Sequence, residues 1–456
     1  MLGLKVMVRV SSWPAAVAAF RSSCYTATAS HSLLLTRAMS VSLHVSPARC
    51  LFDEPLRMSV SGLSPGQQVT LQALVTDEAG ETFTSFGRYR AGNSGELTLS
   101  RSPALAGGSF TGVEPEGPLW SLQPRSPFRR FVRKDVQSPI RLELSLYRDH
   151  EPLGPLLSTV SQERGFLGAG VSRIPVREGK VRGSLFLPPG SGPFPAIIDL
   201  YGTGGGLMEH RASLLASRGF LTLALAYFDY DDLPKDIGGL HLSYFKEALQ
   251  FLRSLPQVNN QEVGVIGISK GADLAVSMAT FLTGIKAVVS VSGCSANSFT
   301  SLQCEGFTLP GLGFNPEKIK FTESGVLDFS EAMDDPKDPA NESCLIPAEK
   351  SNAAFLFLSG SDDMNWPSSA YSEQIVLRLR AHGKDVESHT YPGAGHLLEP
   401  PYFPLCQASN HKLLGIPMLW GGHPREHARA QKDSWQKIQS FFNKHLMQVN
   451  SKSSRL

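Results

Sequence analysis

The chain has 456 residues, of which 41% are hydrophobic and 18% are charged, and its formal net charge is +2 at pH 7. It has no arginine-rich stripe interleaved with aromatic side chains, so nothing indicates a nucleic-acid-binding protein, and a small-molecule partner is expected. The length is sufficient for two hydrophobic cores, and we therefore expect two domains. The six cysteines form no C-x-x-C pair, which predicts reduced thiols rather than disulfides or a zinc site.

Both ends of the chain resemble targeting signals. The stretch Met1 to Arg49 holds five Lys or Arg residues and no acidic residue, which is typical of an organelle transit peptide. Charged and polar residues interrupt its apolar runs, so no membrane span is predicted. The last residues, Ser454-Arg455-Leu456, resemble the S-K-L peroxisomal signal. Because a presequence emerges before the C-terminus is made, we expect the mitochondrial matrix, with the peroxisome or cytosol as alternatives.

The pattern of apolar residues changes near residue 165. Before it, short runs alternate apolar and polar residues and are separated by Gly, Pro and Asp, which predicts a β-sandwich. These runs include Ser40 to Val45, Val69 to Val75 and Ile140 to Leu146. We expect a presequence over 1–41, a β-sandwich over 42–165, a catalytic domain over 166–448 and a tail over 449–456.

After residue 165 the apolar runs become continuous and are spaced by helix-length segments. Such runs predict a mostly parallel sheet covered by helices, and residues 166–182 are expected to form the crossing between the domains. The predicted strands include Pro195 to Leu200, Phe220 to Leu225, Val263 to Ile266, Ala287 to Val291, Ala353 to Leu358 and Val386 to Tyr391.

Ser269 is the most informative residue of the second domain. It lies in Gly267-Ile268-Ser269-Lys270-Gly271, between a predicted buried strand and a segment of helical composition. Small neighbours on both sides allow the tight strand-to-helix turn that raises a nucleophilic serine above the sheet of an α/β-hydrolase. The alternative is a helix N-terminus that merely uses glycine. The order of strand, turn and helix favours the nucleophile.

An acid should follow Ser269 in the chain, because α/β-hydrolases supply their triad in the order serine, acid, histidine. The strand Phe355 to Leu358 is followed by two carboxylates, Asp362 and Asp363, at an edge where α/β sites are built. We favour Asp363, which is far enough beyond the strand for the chain to turn back. Asp362 is the rival, and a turn or capping role is the alternative for either residue.

His396 is the candidate base. It ends the segment Pro392-Gly393-Ala394-Gly395-His396, directly after the last predicted strand. It alone combines a strand end, flexible glycines and the required chain order. Six later or nearby histidines are expected to be surface or helix residues without a catalytic role: His382, His389, His411, His423, His427 and His445.

An oxyanion hole requires two N–H groups that point at the attacked carbonyl. The first is expected from Lys270, directly after the nucleophile. The second is expected from Thr203 or Gly204, in the glycine-rich segment 199–206 that follows the first core strand. A phosphate cradle is the competing interpretation, but the segment lacks the G-x-x-x-x-G-K-[ST] pattern.

These and other motifs together resemble the type I acyl-CoA thioesterases, a family that includes the bile acid-CoA:amino acid N-acyltransferases. The resemblance extends from about residue 42 to 447. The motifs are Tyr201 to Leu207, Arg211 to Ala216, Ala224 to Tyr227, Gly267 to Gly271, Asp362-Asp363 with Asn365-Trp366, Gly395-His396, Glu399 to Cys406 and Trp420-Gly421-Gly422.

The resemblance implies hydrolysis of fatty acyl-CoA to fatty acid and CoA by the triad Ser269, Asp363 and His396, without a cofactor or metal. Members similar to the transferases carry cysteine at the elbow, so serine favours water as the acceptor. Met364 stands where relatives often have histidine. An acyl-CoA:amino acid N-acyltransferase, or another serine esterase or peptidase, is the alternative. Arg211 and Lys270 could meet the CoA phosphates, with solvated surface charge as the default.

Overall fold

The structure is a computed structural model that describes residues 40–150 and 154–447. Residues 1–39 of the predicted presequence and the predicted tail 449–456 lie outside this part of the chain. The first segment is almost entirely β-structure. Its elements are β1 (Ser42–Ser46), β2 (Arg49–Leu51), β3 (Arg57–Ser61), β4 (Gln68–Thr76), β5 (Thr82–Arg90), β6 (Leu97–Thr98), α1 (Gly117–Trp120), β7 (Gln123–Pro124), β8 (Ile140–Arg148) and β9 (Leu156–Gly165).

These strands form two sheets, in the orders β1-β3-β6 and β2-β9-β8-β4-β5-β7. In β8 the alternation of apolar and polar residues becomes an alternation of buried and outward-facing side chains. The apolar faces of both sheets share one hydrophobic cluster, to which Val60 contributes from β3 and Leu71 from β4. The predicted N-terminal β-sandwich is confirmed, whereas its bounds at 42 and 165 stay a prediction.

The remainder of the chain alternates strands and helices. Its elements are β10 (Ser172–Glu178), β11 (Val181–Leu187), β12 (Phe194–Leu200), α2 (His210–Ala216), β13 (Leu221–Ala226), β14 (Leu240–His241), α3 (Leu242–Ser254), β15 (Val258–Ile268), α4 (Lys270–Phe281), β16 (Ile285–Val291), β17 (Leu302–Cys304), β18 (Phe307–Leu309), β19 (Lys320–Phe321), β20 (Leu327–Asp328), β21 (Ala354–Gly360), α5 (Ser368–Ala381), β22 (Val386–Tyr391), β23 (Ala408–Asn410), β24 (Pro417–Leu419) and α6 (Pro424–Leu446). Short 3-10 turns occupy Pro316–Lys318, Pro339–Cys344 and Ala348–Lys350.

An eight-stranded sheet in the order β10-β11-β13-β12-β15-β16-β21-β22 forms the centre of this domain. The six strands from β13 to β22 are parallel, and β10 and β11 pair antiparallel at one edge. The predicted α/β-hydrolase sheet is therefore confirmed. The expected crossing over 166–182 is corrected, because β10 and the start of β11 form an edge hairpin there. A short turn at Gly179 with positive φ allows the two strands to pair.

Both faces of the sheet are buried, which explains the continuous apolar runs. Two neighbouring residues of β12 show this. Ile197 belongs to the hydrophobic cluster that includes α2, α6 and the N-terminal sandwich. Ile198 belongs to the cluster on the other face, which includes α3, α4 and α5. Two small sheets, β14-β17-β18 and β19-β20-β24-β23, lie outside the main sheet. No helix of residues 40–150 and 154–447 is long and apolar enough to cross a membrane.

Aromatic side chains join the sandwich to the catalytic domain. The ring of Phe166 stacks on Phe52 with centroids 4.9 Å apart, and Phe52 also contacts Phe403 at 4.7 Å. Phe166 is fully buried between the two domains. Aromatic pairs of this geometry add stabilisation beyond their buried area, so the sandwich is fixed against the segment that follows the candidate base.

Candidate active site

Ser269 lies at the turn between β15 and α4 with φ 57° and ψ −129°. Residues other than glycine rarely adopt this backbone conformation, so the surrounding structure must hold Ser269 in it. Its N–H donates to the carbonyl of Val291 at 2.9 Å. A Cβ atom on Gly267 would lie 2.0 Å from the carbonyl oxygen of Gly271, and one on Gly271 would lie 2.5 Å from that of Tyr201. Both glycines of the pentapeptide are therefore required, and the geometry is that of a nucleophile elbow.

Asp363 and His396 are brought together from the loops after β21 and β22. Asp363 Oδ2 lies 2.8 Å from His396 Nδ1. The same oxygen accepts a hydrogen bond from the Ser368 hydroxyl at 2.6 Å, and Oδ1 accepts from the N–H groups of Asn365 and Trp366 at 2.9 Å and 3.2 Å. The carboxylate is thus held by four hydrogen bonds and can keep a proton on Nδ1 of the imidazole.

The rival carboxylate, Asp362, faces away from the imidazole. Its Oδ2 accepts a hydrogen bond from the N–H of Gly422 at 2.7 Å, and the side chain of His423 lies 3.9 Å from the same oxygen. Asp362 therefore anchors the segment after β24, which is the turn role left open by the sequence.

Two tryptophans enclose the ring of His396. The ring of Trp420 stacks on it with centroids 5.6 Å apart, and Trp366 meets it edge to face at 5.4 Å. Trp366 is itself fixed by a hydrogen bond from Nε1 to the carbonyl of Ser292 at 2.9 Å. His396 is completely buried, so its ring has little freedom to rotate away from Asp363.

Ser269 and His396 are not hydrogen-bonded to each other within residues 40–150 and 154–447. His396 Nε2 instead lies 3.4 Å from the side-chain amide of Asn365. With Nδ1–H donated to Asp363, Nε2 carries a lone pair, and this weak contact from Asn365 is one that a serine hydroxyl can replace. Contacts of this kind commonly tighten only when substrate is bound.

The N–H groups predicted for the oxyanion hole lie on two adjacent segments. Lys270 is the first residue of α4, so its N–H has no partner inside the helix. In the described part of the chain, the N–H groups of Thr203 and Gly204 find no backbone acceptor. The loop 202–206 approaches Ser269 closely, because a Cβ atom on Gly202 would lie 2.8 Å from Ser269 Cβ. Gly202 was missed in the sequence because nothing local distinguishes it from its glycine neighbours.

The Lys270 and Arg211 side chains do not face solvent. Lys270 is completely buried, and its Nζ donates to Asn297 Oδ1 and the carbonyl of Ser298, both at 2.6 Å. Arg211 is buried against the carboxylate of Asp199. The expectation that these two residues meet substrate phosphates, or remain as solvated surface charge, is therefore wrong.

Two histidines for which no catalytic role was expected, His411 and His427, contact residues of the candidate site. His411 Nε2 lies 3.1 Å from the hydroxyl of Thr203, and burial together with the nearby His396 lowers the pKa of His411. His427 is buried beneath the base: Gly395 N–H donates to its Nδ1 at 3.1 Å, and its Nε2 lies 3.1 Å from the Leu397 carbonyl. These contacts cross long stretches of sequence, so no local pattern could have indicated them.

The family is decided by matches that cover most of the chain. The model of the acyl-CoA thioester hydrolase/BAAT N-terminal region matches residues 53–178, and that of the BAAT / acyl-CoA thioester hydrolase C terminal matches residues 240–448. The chain belongs to the acyl-CoA thioester hydrolase/BAAT family. The resemblance seen in the sequence is thereby confirmed.

Three members of this family are similar to this chain over most of their own length. Human acyl-coenzyme A thioesterase 1 is 51% identical over 411 residues, which cover 90% of this chain and 97% of the relative. Human acyl-coenzyme A thioesterase 2, a protein named as mitochondrial, is 50% identical over 90% of this chain and 85% of its own length. Mouse acyl-coenzyme A thioesterase 5 is 51% identical over 89% and 97%, respectively.

Two solved structures are also similar to this chain, at lower sequence identity. Dienelactone hydrolase from Anabaena variabilis is 17% identical with a TM-score of 0.37, covering 61% of this chain and 99% of that one. Acylaminoacyl peptidase from Pyrococcus horikoshii is 14% identical with a TM-score of 0.40, covering 88% and 61%.

Proposed function

We propose that this protein is an acyl-CoA thioesterase that hydrolyses fatty acyl-CoA to free fatty acid and coenzyme A, with Ser269 as nucleophile, His396 as base and Asp363 as the acid that orients it. The hydrogen bond between Asp363 and His396, at the same sheet edge as the Ser269 turn, carries the proposal. The family and the thioesterase names of its relatives support the choice of a CoA thioester.

In the first step, His396 Nε2 takes the proton of the Ser269 hydroxyl while Oγ attacks the thioester carbonyl. The N–H groups of Lys270 and of Thr203 or Gly204 stabilise the oxyanion. The carbon–sulfur bond then breaks with little assistance from an acid, and the departing CoA thiolate takes the proton from His396 Nε2, so CoA is released as a thiol and the imidazole is neutral again. The acyl group remains on Ser269 as an ester.

In the second step, His396 removes a proton from water, and the resulting hydroxide attacks the acyl ester. The same N–H groups stabilise the second oxyanion, and His396 returns its proton to Ser269 as the fatty acid leaves. Asp363 keeps the imidazole in one tautomer throughout and stabilises its positive charge. The atoms balance as thioester plus water giving acid plus thiol.

The test compares Ser269→Ala with wild type and with Ser277→Ala. Ser277 is a matched control because it is a completely buried serine in α4 whose hydroxyl has no partner among the described residues. We expect Ser269→Ala to abolish acyl-CoA hydrolysis and fluorophosphonate labelling with an unchanged circular dichroism spectrum, and Ser277→Ala to retain both. Unchanged turnover in Ser269→Ala would refute the assignment.

The same assays separate the rival activities. We expect an acyl-CoA to be hydrolysed with a higher kcat/KM than a simple ester or a peptide of the same acyl group. Faster turnover of the ester or peptide would favour a general esterase or peptidase. Acyl transfer to an amino acid in preference to water would favour the N-acyltransferase.

The mitochondrial matrix is the proposed location. Support comes from the basic, acid-free N-terminal stretch and from relatives that are named as mitochondrial. Imaging of chains tagged separately at each end tests the proposal, because a C-terminal tag blocks Ser454-Arg455-Leu456 and an N-terminal tag blocks the presequence. Peroxisomal fluorescence that requires a free C-terminus would contradict it.

A further inference from the structure

A buried polar cluster joins residues that adjoin the two loops of the candidate site. The Tyr201 hydroxyl donates to Glu399 Oε2 at 3.0 Å, and His210 Nε2 lies 3.0 Å from the same oxygen and 2.6 Å from the Tyr201 hydroxyl. Arg130 binds the other carboxylate oxygen, Oε1. Glu399 is 6% exposed and His210 is 2% exposed, so three partners surround a carboxylate that water hardly reaches.

Glu399 and its partners come from three parts of the molecule, because Tyr201 and His210 both belong to the segment between β12 and the start of α2. Tyr201 directly precedes Gly202, where the loop with the candidate oxyanion N–H groups begins. Glu399 itself follows His396 by three residues. Arg130 comes from the N-terminal segment, between β7 and β8. One carboxylate thus connects the oxyanion loop, the loop of the base and the N-terminal domain.

The connections between Glu399 and the reacting groups are short and stiff. The N–H of Leu398 donates to the carbonyl of His396 at 3.2 Å, and the N–H of Glu399 donates to that of Leu397 at 2.9 Å. On the other side, the Tyr227 hydroxyl donates to the carbonyl of Tyr201 at 2.6 Å. A shift of the Glu399 carboxylate would therefore move both the oxyanion loop and the loop that carries His396, because no flexible segment lies between them and the carboxylate.

The charge of Glu399 depends on its neighbours. Burial acts to raise its pKa, but His210, Arg130 and Arg211 outweigh burial and hold the pKa well below its ordinary value. An ionised carboxylate that loses a charged partner in a buried place moves towards water or towards the remaining donors. Removal of Arg130 is therefore expected to displace Glu399.

We propose that Glu399 is a positioning residue, and that Arg130 of the N-terminal domain acts through it to set the separation between the oxyanion loop and His396. The proposal rests on the proposed function, since it assumes that Ser269 and His396 react. It also gives the β-sandwich a part in the chemistry, although no residue of that domain belongs to the candidate triad.

The test compares Arg130→Met with Arg129→Met, a matched control. Arg129 is the adjacent residue, its side chain is 58% exposed, and its single ion pair with any of the described residues is the one with Glu81 at 3.9 Å. Because misplacement of a catalytic group by about 1 Å can lower a rate by about 100-fold, we expect Arg130→Met to lower kcat and the rate of fluorophosphonate labelling by about 10- to 100-fold. We expect KM to change little, Arg129→Met to behave as wild type, and Arg130→Lys to recover part of the rate.

These readouts separate positioning from a purely structural role. All rates are measured well below the midpoint of thermal unfolding, on protein whose folded state is checked by circular dichroism. A folded Arg130→Met with wild-type kcat and labelling rate would overturn the proposal. Should Arg130→Met fail to fold, Tyr201→Phe removes a single hydroxyl from the cluster. We expect it to lower kcat without raising KM, and a wild-type kcat there would overturn the proposal equally.

Failure of the proposed function gives a different result. Wild-type protein that is labelled by fluorophosphonate but hydrolyses no acyl-CoA would contradict the thioesterase assignment. Labelling would still be slowed in Arg130→Met under the positioning proposal. Equal labelling of wild type and Arg130→Met, with normal acyl-CoA hydrolysis in both, would contradict positioning alone.

Discussion

Gly202 passes so close to Ser269 that a Cβ atom on Gly202 would lie 2.8 Å from Ser269 Cβ and 3.2 Å from its hydroxyl oxygen. The Tyr227 hydroxyl, which donates its proton to the Tyr201 carbonyl at 2.6 Å, also lies 3.2 Å from the carbonyl of Gly202. The loop therefore cannot retreat without losing this contact. The close approach couples the position of the nucleophile to that of the N–H groups on the loop.

Gly202→Ala is expected to slow fluorophosphonate labelling of Ser269 by about 10- to 100-fold, because the methyl group pushes the serine and the oxyanion loop apart. Gly92→Ala is the control, since a Cβ atom there would meet nothing closer than the Glu96 carbonyl oxygen at 3.8 Å. Second-order labelling rates of both variants check the prediction. A Gly202→Ala protein that is labelled at the wild-type rate would contradict it.

Asp363→Asn is expected to lower kcat by about 10⁴-fold, because an amide can stabilise the wrong imidazole tautomer and cannot balance its positive charge. Asp362→Asn is the matched control: its amide oxygen can still accept the N–H of Gly422, and the residue does not contact His396. We expect it to retain kcat within about threefold, because the variant keeps the hydrogen bond to Gly422 and leaves the contact between Asp363 and His396 in place. Steady-state acyl-CoA hydrolysis measures both. Equal losses in the two variants would show that either carboxylate serves the base.

Much of the fold could be predicted from the sequence, because both faces of its sheet are buried. Continuous apolar runs such as Ala287 to Val291 then mark the strands directly, and β16 occupies Ile285–Val291. The edge strand β10 was missed because it is exposed and mixed: Ser172–Glu178 contains a proline and charged residues. The amino-acid composition of this segment is typical of a loop between domains, and the segment becomes a strand only because it pairs with β11.

The candidate triad could also be predicted, since each member follows a strand whose end lies at one sheet edge. The residues that support the triad could not be predicted. Asn365, His411 and His427 act through contacts with residues up to 208 positions away, as in the pair of Thr203 with His411. Such pairs exist only once the loops have been brought together, so their polar side chains cannot be told apart from surface residues in the sequence.

Ser269→Cys is expected to acylate but to release the acyl group slowly. The longer bond to sulfur displaces the attacked carbonyl from N–H groups that are effective only at about 2.7–3.1 Å from the oxyanion. A pre-steady-state burst of CoA, followed by a slower linear phase than in wild type, checks this prediction. Mass spectrometry of the intact chain should then detect the acyl adduct. Full hydrolytic turnover without a burst would contradict the expectation.

His427 makes the stability of the site sensitive to pH. Burial is the main cause that lowers the pKa of its imidazole from 6.5 to about 4. In the neutral ring, Nδ1 accepts from Gly395 N–H and Nε2–H donates to the Leu397 carbonyl, so both neighbours of His396 are held. Protonation removes the acceptor and leaves a charge in a buried place.

The sign of the effect follows from proton binding. Between about pH 6.5 and pH 4 the unfolded chain binds a proton at this histidine and the folded chain does not, so stability falls as the pH falls. At about 1.4 kcal/mol for each unit of pKa shift, the loss in the free energy of unfolding from this residue approaches about 3 kcal/mol at pH 4.

His427→Gln is the variant that isolates this effect, because a glutamine can accept from Gly395 and donate to Leu397 but does not titrate. Urea unfolding at pH 7 and at pH 4.5 measures the free energy of unfolding of both proteins. The carboxylates titrate equally in wild type and in His427→Gln, so their contribution cancels when the two losses of stability are compared. We expect wild type to lose more stability on acidification than His427→Gln. Parallel losses would show that the folded protein binds the proton at His427 as readily as the unfolded chain does.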